Sequence, residues 1–551
     1  MIAAASPSGI IKSDPVTFEV VRGGLYQACE EMKSTIMRAA FSPLLSLSAD
    51  LSCAILDPQG DVVAQGNDIP VHLGAMPFTA RAMLRGIPPA AWNQGDAVLC
   101  NDPYIGGTHL PDMTLMSPVH RDGRIIAFVA CRVHWPDVGG EVPGSSSVTD
   151  HILKEGMRVP PVKIMEADRL NMAAVTILLA NMRVPESRFG DLQAQCAGNR
   201  RGIARLSELI ARYGSATITS VMEATQDHSE KSLAAGIATF PDGRFSYEET
   251  LDGDGYSDGG ELRIRVSLRR EAGKLVVDFE GTSGPTRGPV NAPFAVTASA
   301  VYYSVLAALG AGTLPNSGAY RNIDVRVPKM SLVAAEPPYP VVSANTETSN
   351  RIVDVILGAF AQAGAFGIAG SYGSAAVYTL GGRDPQTGKS FVHYETIGGG
   401  LGAGPRWDGT DGMRVHMGNT MNLPIEATEA ALPIRFDCYA LMPGSGGRGQ
   451  HSGGAGSVKR LRSLIDHLEV SILIERTVSP ARGRNGGADG ALAHVRVVRA
   501  AGAIEEVPSK GRVVLAAQDA IEIMTAGGGG WGDRPRQWET QSSGSHAWRR
   551  S

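Results

Sequence analysis

The amino-acid sequence predicts an α+β fold, a large mixed chain of several units in which β-rich, glycine-rich segments are interleaved with helices. Three observations lead to this prediction. The 67 glycines among the 551 residues cluster in runs, which indicates many tight turns and close approaches of the backbone. Apolar residues recur at helical spacing in some stretches, and strand-like apolar runs occupy others. Hydrophobic residues make up 43% of the chain, which is ample for a large core.

The helices are predicted from caps and from apolar spacing. Asp14 suits an N-cap and Pro15 suits the first helical position. Apolar residues then recur every three or four positions, which predicts an amphipathic helix that ends near Ala40. Further helices are predicted at residues 167–213, with a break near Pro185, at 223–237, at 294–311 and at 349–365.

The strands are predicted from short apolar or alternating runs. Such runs occupy Leu51–Asp57, Asp96–Cys100 and Ile125–His134. The last of them, IIAFVACRVH, is almost continuously apolar, as expected for a strand that is buried on both faces. Residues 245–281 indicate antiparallel strands joined by Gly/Asp turns, and from residue 390 glycine runs alternate with short strands.

These elements suggest three units and a tail. Residues 1–213 are expected to form an N-terminal unit that contains the candidate metal site described below. Residues 214–385 are expected to form a central α/β unit, and residues 386–533 a C-terminal glycine-rich β unit. The polar stretch 534–551 is expected to be a disordered tail.

Charge, hydropathy and cysteine usage exclude several classes of protein. The net charge of −4 comes without a basic stripe, so nucleic-acid binding is not expected. No apolar run reaches the roughly 18–20 residues of a membrane span, and the N-terminal residues do not resemble a signal peptide. The six cysteines are scattered without a C-x-x-C pair, which argues against a disulfide framework and favours a reduced cytoplasm.

The stretch from Leu99 to Pro143 holds the residues that best fit a chemical role. It reads LCNDPYIGGTHLPDMTL and, after an apolar strand, CRVHWPDVGGEVP. His109 and Asp112 are three residues apart, and His134 lies at the far end of the next predicted strand. Two imidazoles and a carboxylate that meet where strands end can bind a divalent metal. This donor set suits Zn, Mn, Fe or Ni better than Ca or Mg.

Three other aspartates could complete such a site. Asp50 stands at the edge of an apolar strand, where an unpaired carboxylate would be costly, and is the candidate fourth ligand. Asp102 and Asp137 are candidates for orienting the histidine rings through hydrogen bonds. The H-x-x-D pattern also occurs in proteins without a metal. The spacing therefore leaves an alternative open, in which His109 and His134 are hydrogen-bonded histidines of the core.

The glycine runs invite comparison with phosphate-binding loops. The runs lie at residues 398–400, 444–456 and 527–530. None matches G-x-x-x-x-G-K-[ST], and none is a G-x-G-x-x-G placed clearly between a strand and a helix. Turns are therefore the favoured interpretation. If the protein uses ATP, another chain is expected to bind it.

Nine strings of this sequence resemble the hydantoinase B/oxoprolinase family. That family includes the B-type component of N-methylhydantoinase, the C-terminal half of 5-oxoprolinase, and components of acetone and acetophenone carboxylases. The strings run almost from end to end of the chain: Asp14–Val20, Ser48–Asp57, Asn101–Asp112, Asp137–Pro143, Glu155–Pro161, Thr346–Val353, Gly412–Asn419, Leu441–Gly447 and Ala526–Asp533.

The resemblance implies a metal enzyme whose ligands are an H-x-x-D pair, a later histidine and an upstream aspartate. On this sequence the pattern falls on His109, Asp112, His134 and Asp50. Relatives often carry a second histidine directly after the later one. Here Trp135 stands in that place, which leaves the shape of the substrate pocket open.

The resemblance also implies a partner. In this family ATP is bound by an A-type subunit, which phosphorylates the amide or enol oxygen of a small-molecule substrate, and the B-type subunit completes the reaction. The chain is therefore expected to be the B-type subunit of a hetero-oligomeric, ATP-dependent enzyme that opens a cyclic amide. Zn or Mn is the expected metal, and Asp50 or Asp137 is expected to accept the proton of the attacking water.

Two other functions stay open at this point. The chain could belong to a ketone carboxylase of the acetone or acetophenone type, or it could be a non-catalytic scaffold for an A-type partner. Ring opening is favoured over carboxylation because it needs only a metal, a water and a base. Carboxylation also needs a site that shields a reactive carboxyl donor from water, and the sequence does not identify one.

Overall fold

The computed structural model describes residue 10 and residues 14–256, 260–364 and 367–533. The predicted tail at 534–551 lies outside the described residues. Helices and several sheets share the chain, so the predicted α+β class is confirmed. No helix among the described residues is both long and apolar enough to cross a membrane. The division into units at residues 213 and 385 stays a prediction.

The helices largely follow the predicted positions. The first helix begins at Pro15, and the side chain of Asp14 accepts a hydrogen bond from the backbone N–H of Thr17, as expected of an N-cap. The described α-helices are α1 Pro15–Ala39, α2 Pro43–Ser46, α3 Pro70–Gly86, α4 Ile152–Glu155, α5 Met172–Ala180, α6 Pro185–Tyr213, α7 Ser215–Ala238, α8 Phe294–Leu309, α9 Ser317–Tyr320, α10 Thr348–Gln362 and α11 Ile425–Ala431.

The first sheet has seven antiparallel strands in the order β2-β1-β5-β4-β3-β6-β7. Its strands are β1 Leu51–Leu56, β2 Val62–Gln65, β3 Ala97–Cys100, β4 Asp112–Arg121, β5 Arg124–His134, β6 Val162–Glu166 and β7 Arg169–Leu170. Helices cover both faces of this sheet. In β5, Val129 and Cys131 belong to the core that α1 and α6 share, whereas Phe128 and Ala130 pack with residues of α3. This two-sided burial explains the continuous apolar run and confirms its prediction.

The remaining strands form three sheets. A four-stranded sheet, in the order β11-β10-β9-β8, packs against α8 and α10. A second four-stranded sheet, β13-β12-β16-β19, shares a core with the five-stranded sheet β14-β15-β20-β17-β18. The strands are β8 Phe245–Leu251, β9 Leu262–Glu271, β10 Lys274–Asp278, β11 Ile323–Arg326, β12 Ala375–Arg383, β13 Ser390–Gly398, β14 Ile434–Leu441, β15 Ser457–Ser463, β16 Leu468–Ile474, β17 His494–Val498, β18 Ile504–Glu506, β19 Lys510–Leu515 and β20 Ala520–Met524.

The sequence had suggested that the glycine runs serve mainly as turns. In the structure they instead pack backbone against backbone. Residues 398–402, 446–456 and 527–530 lie side by side, and we call them the glycine core. Within it Gly454 N donates to Leu401 O, and Gly528 N donates to Gly454 O. A Cβ atom on Gly400 would lie 1.8 Å from Gly454 O, so no side chain fits between these segments.

Candidate metal centre

Three neighbouring strands bring Asp50, His134 and Asp112 together. Asp112 begins β4 and His134 ends β5, and the antiparallel register places them opposite each other. Asp50 directly precedes β1, whose first residue pairs with the neighbour of His134, and His134 N donates to Asp50 O. Ala49, the residue before Asp50, has a φ of 55°, a backbone conformation that is unusual for a residue with a side chain. One end of the sheet therefore carries all three residues.

His109 reaches the same point from the loop before β4. The backbone N–H of Asp112 donates to His109 O, so the two residues form one tight turn. Asn101 fixes this loop, because its side chain donates to Leu110 O at 2.6 Å and accepts from Val159 N at 2.7 Å. The structure thus brings the donor atoms of His109, Asp112 and His134 within 4.8 Å of one another, and their binding of a metal stays a prediction.

A third histidine, His72, joins the cluster and was missed by the sequence analysis. It lies in the first turn of α3, the helix that covers one face of the sheet. Its Nε2 is 3.2 Å from Asp112 Oδ1 and 3.9 Å from Asp50 Oδ1. A polar ring in the otherwise apolar stretch IPVHLGAM was the signal that could have revealed it.

The three rings converge on one carboxylate oxygen. Asp112 Oδ1 is 3.1 Å from His109 Nε2, 3.2 Å from His72 Nε2 and 3.5 Å from His134 Nδ1. Asp50 closes the group, with Oδ2 at 4.0 Å from His134 Nδ1. All five side chains are buried. A set of three imidazoles and two carboxylates facing a common point is a donor set for a transition metal such as Zn or Mn.

Two of the rings are oriented by groups outside the cluster. His109 Nδ1 lies 3.1 Å from the carbonyl oxygen of Val342, which can only accept, so Nδ1 carries a proton and Nε2 is the ring nitrogen that faces the cluster. His72 Nδ1 is within hydrogen-bonding distance of Ser52 Oγ at 3.2 Å. The segment that carries Val342 is itself held by Glu155, whose Oε1 accepts from Val341 N and Val342 N at 2.8 Å each.

His134 is placed differently from the other two rings. Its Nδ1 faces the cluster, and its ring packs against Tyr394 with centroids 4.2 Å apart. Its Nε2 is buried without a hydrogen-bond partner among the described residues. Burial lowers the pKa of His134 below its usual value, so the ring is neutral near physiological pH, as a metal ligand must be.

Asp112 is ionised in spite of its burial. Desolvation opposes its charge, but attraction by His109 and His72 and hydrogen bonds from His109 and His134 hold the pKa of this carboxyl well below its usual value. For His109 burial opposes protonation, yet Asp112 raises its pKa above the usual value. The second carboxylate oxygen of Asp112 accepts from Thr108 Oγ1 and from Asn345 Nδ2. Asp112 is therefore fixed with Oδ1 toward the three rings.

The other two predicted aspartates lie elsewhere. Asp137 binds Arg183 with both oxygens, accepting from the backbone N–H and from Nη1 at 2.9 Å each. Asp102 caps a short turn by accepting from Tyr104 N and lies 3.5 Å from Arg158 Nε. Neither makes a hydrogen bond with a ring of the cluster, and the ring partners are Ser52 and Val342 instead.

The cluster forms one wall of a small cavity of about 50 Å³. Part of the lining is apolar, and the rest carries hydroxyl, amide and guanidinium groups. Besides Asp50, His72, His109 and His134, the lining includes Asn345, Thr346, Asn350, Tyr372, Tyr394, Thr396, Arg414 and Thr420. A small polar molecule in this cavity would contact the cluster directly.

Similar proteins were found among curated sequences. The chain is 33% identical to 5-oxoprolinase 1 of Arabidopsis thaliana over 94% of its own length, but spans only 42% of that protein. It is 30% identical to the B-type component of a proposed D-/L-hydantoinase of Pseudomonas sp. strain NS671, covering 83% of the chain and 79% of the relative.

Solved structures share the fold. An ATP-dependent caprolactamase from Pseudomonas jessenii superposes with a TM-score of 0.86 at 27% identity, covering 95% of this chain and 92% of the other. An acetone carboxylase superposes with a TM-score of 0.85 at 17% identity, covering 96% and 76%. This second likeness shows the fold alone. The sequence model for hydantoinase B/oxoprolinase matches residues 14–534. The chain belongs to the hydantoinase B/oxoprolinase family.

Proposed function

We propose that this chain is the B-type subunit of an ATP-dependent enzyme that opens a cyclic amide, with a divalent metal held by Asp50, His72, His109, Asp112 and His134. The observation that carries the proposal is the convergence of three imidazole nitrogens on Asp112 Oδ1 in the wall of a cavity. The likeness to a caprolactamase, which acts on a cyclic amide, supports the reaction class.

Zn or Mn fits the donor set best, because imidazole is a borderline ligand and carboxylate a hard one. When bound, such a metal polarises an electrophilic carbon–oxygen group and makes water more nucleophilic near neutral pH. The protein supplies fixed ligands for it. Val342 fixes the ring of His109, and Thr108 and Asn345 fix the carboxylate of Asp112.

Asp50 is the residue we assign to proton transfer. It lines the cavity, and no described side chain donates a hydrogen bond to its carboxylate. It can therefore accept the proton of a water that attacks the activated amide carbon. Asp137 is the weaker candidate for this role, since both of its oxygens bind Arg183.

Activation of the amide is assigned to a partner. The sequence holds no phosphate-binding loop of a known pattern, and the name of the proposed hydantoinase relative marks it as one component of a larger enzyme. We infer an ATP-binding A-type subunit that phosphorylates the amide oxygen, within a hetero-oligomer. A cytoplasmic location is part of this proposal, and the six cysteines, all free thiols, are in keeping with it.

The test has two arms. In the first, the metal content of the purified chain is compared with that of His134→Ala and of His467→Ala, which alters an exposed histidine outside the cluster. His134→Ala is expected to lose most of the metal and His467→Ala to keep it. If the wild-type chain and both variants are folded but contain no metal, the chain would instead be a scaffold.

In the second arm the chain is combined with an A-type subunit, ATP and a panel of lactams, hydantoins and ketones, with labelled bicarbonate present. Ring-opened acids formed at the expense of ATP are the expected products. Label fixed into an acid from a ketone, with no ring opening, would overturn the proposal in favour of a carboxylase.

A further inference from the structure

The cavity beside the cluster contains a cation that no carboxylate neutralises. Arg414 lines this cavity together with Thr396 and Thr420. None of the described acidic side chains lies within 4.0 Å of its guanidinium group, whereas the half-buried Arg183 and the buried Arg351 and Arg476 all form such ion pairs. A cation that is removed from bulk water without a counter-charge attracts an anion.

The guanidinium group of Arg414 is held in place by carbonyl groups. Nη1 donates to Thr420 O at 2.8 Å and Nη2 donates to Thr396 O. The neighbouring residue, Met413, is fixed as well, because Met413 N donates to Gly399 O and Met413 O accepts from Tyr372 Oη. The side chain is therefore positioned before any ligand arrives.

Part of the guanidinium group remains unused. The Nε atom is buried and has no hydrogen-bond partner among the described residues. A guanidinium group has five N–H donors, and the two carbonyls take one from each terminal nitrogen. Nε–H and two of the four terminal N–H groups therefore have no partner among the described residues, and guanidinium N–H groups of this kind bind the oxygens of an oxyanion.

Arg414 and Tyr394 line the same cavity as the cluster. Tyr394 packs against His134. Arg414 and Asp50 both line this cavity, so a molecule bound there would contact the cation and the cluster together.

We propose that Arg414 binds the phosphoryl group of the activated substrate and so positions the reacting carbon at the cluster. The proposal rests on the proposed function for the origin of the phosphoryl group, but the anion site itself does not. A phosphoryl oxyanion suits the free guanidinium N–H groups, and the hydroxyls of Thr396 and Thr420, 3.1 Å apart in the cavity lining, offer further donors.

The first test is binding of inorganic phosphate to the metal-loaded chain, measured by titration calorimetry. Arg414→Gln is expected to weaken phosphate binding about tenfold to a hundredfold while it keeps the metal content. Arg414→Lys keeps the charge but not the paired donors, so its phosphate affinity is expected to lie between those of the wild type and Arg414→Gln. Arg270→Gln removes an arginine that also donates to a backbone carbonyl, Ala238 O, but lies outside the cavity, and should bind phosphate like the wild type.

Arg414→Gln also removes two hydrogen bonds that hold the cavity wall, so it could weaken phosphate binding indirectly. The second test therefore uses no variant. The wild-type chain is treated with phenylglyoxal, which modifies arginine, and the modified peptides are identified by mass spectrometry. Phosphate is expected to protect the peptide that carries Arg414. Equal modification with and without phosphate, or phosphate binding that Arg414→Gln leaves unchanged, would overturn the proposal.

The reconstituted complex separates this inference from the proposed function. With Arg414→Gln we expect ATP consumption to continue and ring opening to fall, because the activated substrate is formed but poorly positioned. Phosphate binding that depends on Arg414, in a complex that opens no ring, would support the anion site and reject the reaction. Ring opening that Arg414→Gln leaves intact would reject the anion site and support the reaction.

Discussion

Asp112 and His134 face each other as the last pair of the β4–β5 ladder, and His72 of α3 completes the group from above the sheet. We expect His72→Ala to reduce bound metal strongly, because its Nε2 is as close to Asp112 Oδ1 as that of His109. Metal analysis of His72→Ala beside His467→Ala checks this. Unchanged stoichiometry in His72→Ala would show that the ring only positions Asp112.

Glu155 is expected to make folding stability depend on pH. Burial raises its pKa to about 8, from an ordinary value of 4.5. Between these values the unfolded chain loses the proton and the folded chain keeps it. The stabilising contribution is therefore present below pH 4.5 and is lost as the pH rises to about 8.

Glu155→Gln should flatten this dependence, because the amide stays neutral and its oxygen can still accept from Val341 N and Val342 N. We expect the variant to match the wild type near pH 5 and to be more stable by on the order of a few kcal/mol near pH 9. Urea unfolding at both pH values measures this, with the exposed Glu141→Gln as control. A parallel pH dependence in wild type and Glu155→Gln would contradict it.

The glycine core is expected to tolerate no side chain. In Gly400→Ala the new methyl group would meet Gly454 O at 1.8 Å and Gly528 N at 2.5 Å, both of them backbone atoms. We expect a loss of about 3 kcal/mol or more. Gly284→Ala, where no atom lies within 4 Å of the added carbon, should be close to neutral. Thermal unfolding of the two variants compares them, and equal midpoints would refute this account of the glycine runs.

We expect ATP to be bound and hydrolysed only when a partner subunit is present. We expect the purified chain neither to bind ATP tightly nor to hydrolyse it, and hydrolysis to begin when an A-type subunit and a cyclic amide are added. Calorimetry and a phosphate-release assay test the two halves. Tight ATP binding by the chain alone would be incompatible with the assigned division of labour.

The sequence pattern identified part of the cluster but not all of its residues. His109, Asp112 and His134 could be found because a three-residue spacing and a strand end are local features. His72 could not, because its place depends on how α3 packs across the sheet. Asp137 follows His134 by three residues, yet the chain leaves β5 there and turns its carboxylate to Arg183. Val342 reaches the ring of His109 from 233 residues away, and no local pattern encodes such a contact.

The glycine core has a consequence for how the protein is made. β1, β4 and β5, which carry most of the cluster, are complete once residue 134 has been synthesised. In contrast, Gly400 N donates to Ala526 O and Gly447 N donates to Gly528 O, so residues 398–402 and 446–456 must wait for residues 526–530. During translation the residues proposed to hold the metal therefore exist long before the wall that carries Arg414 can close. On the proposed function, we expect the metal to reach the cluster through this open side before the glycine core forms.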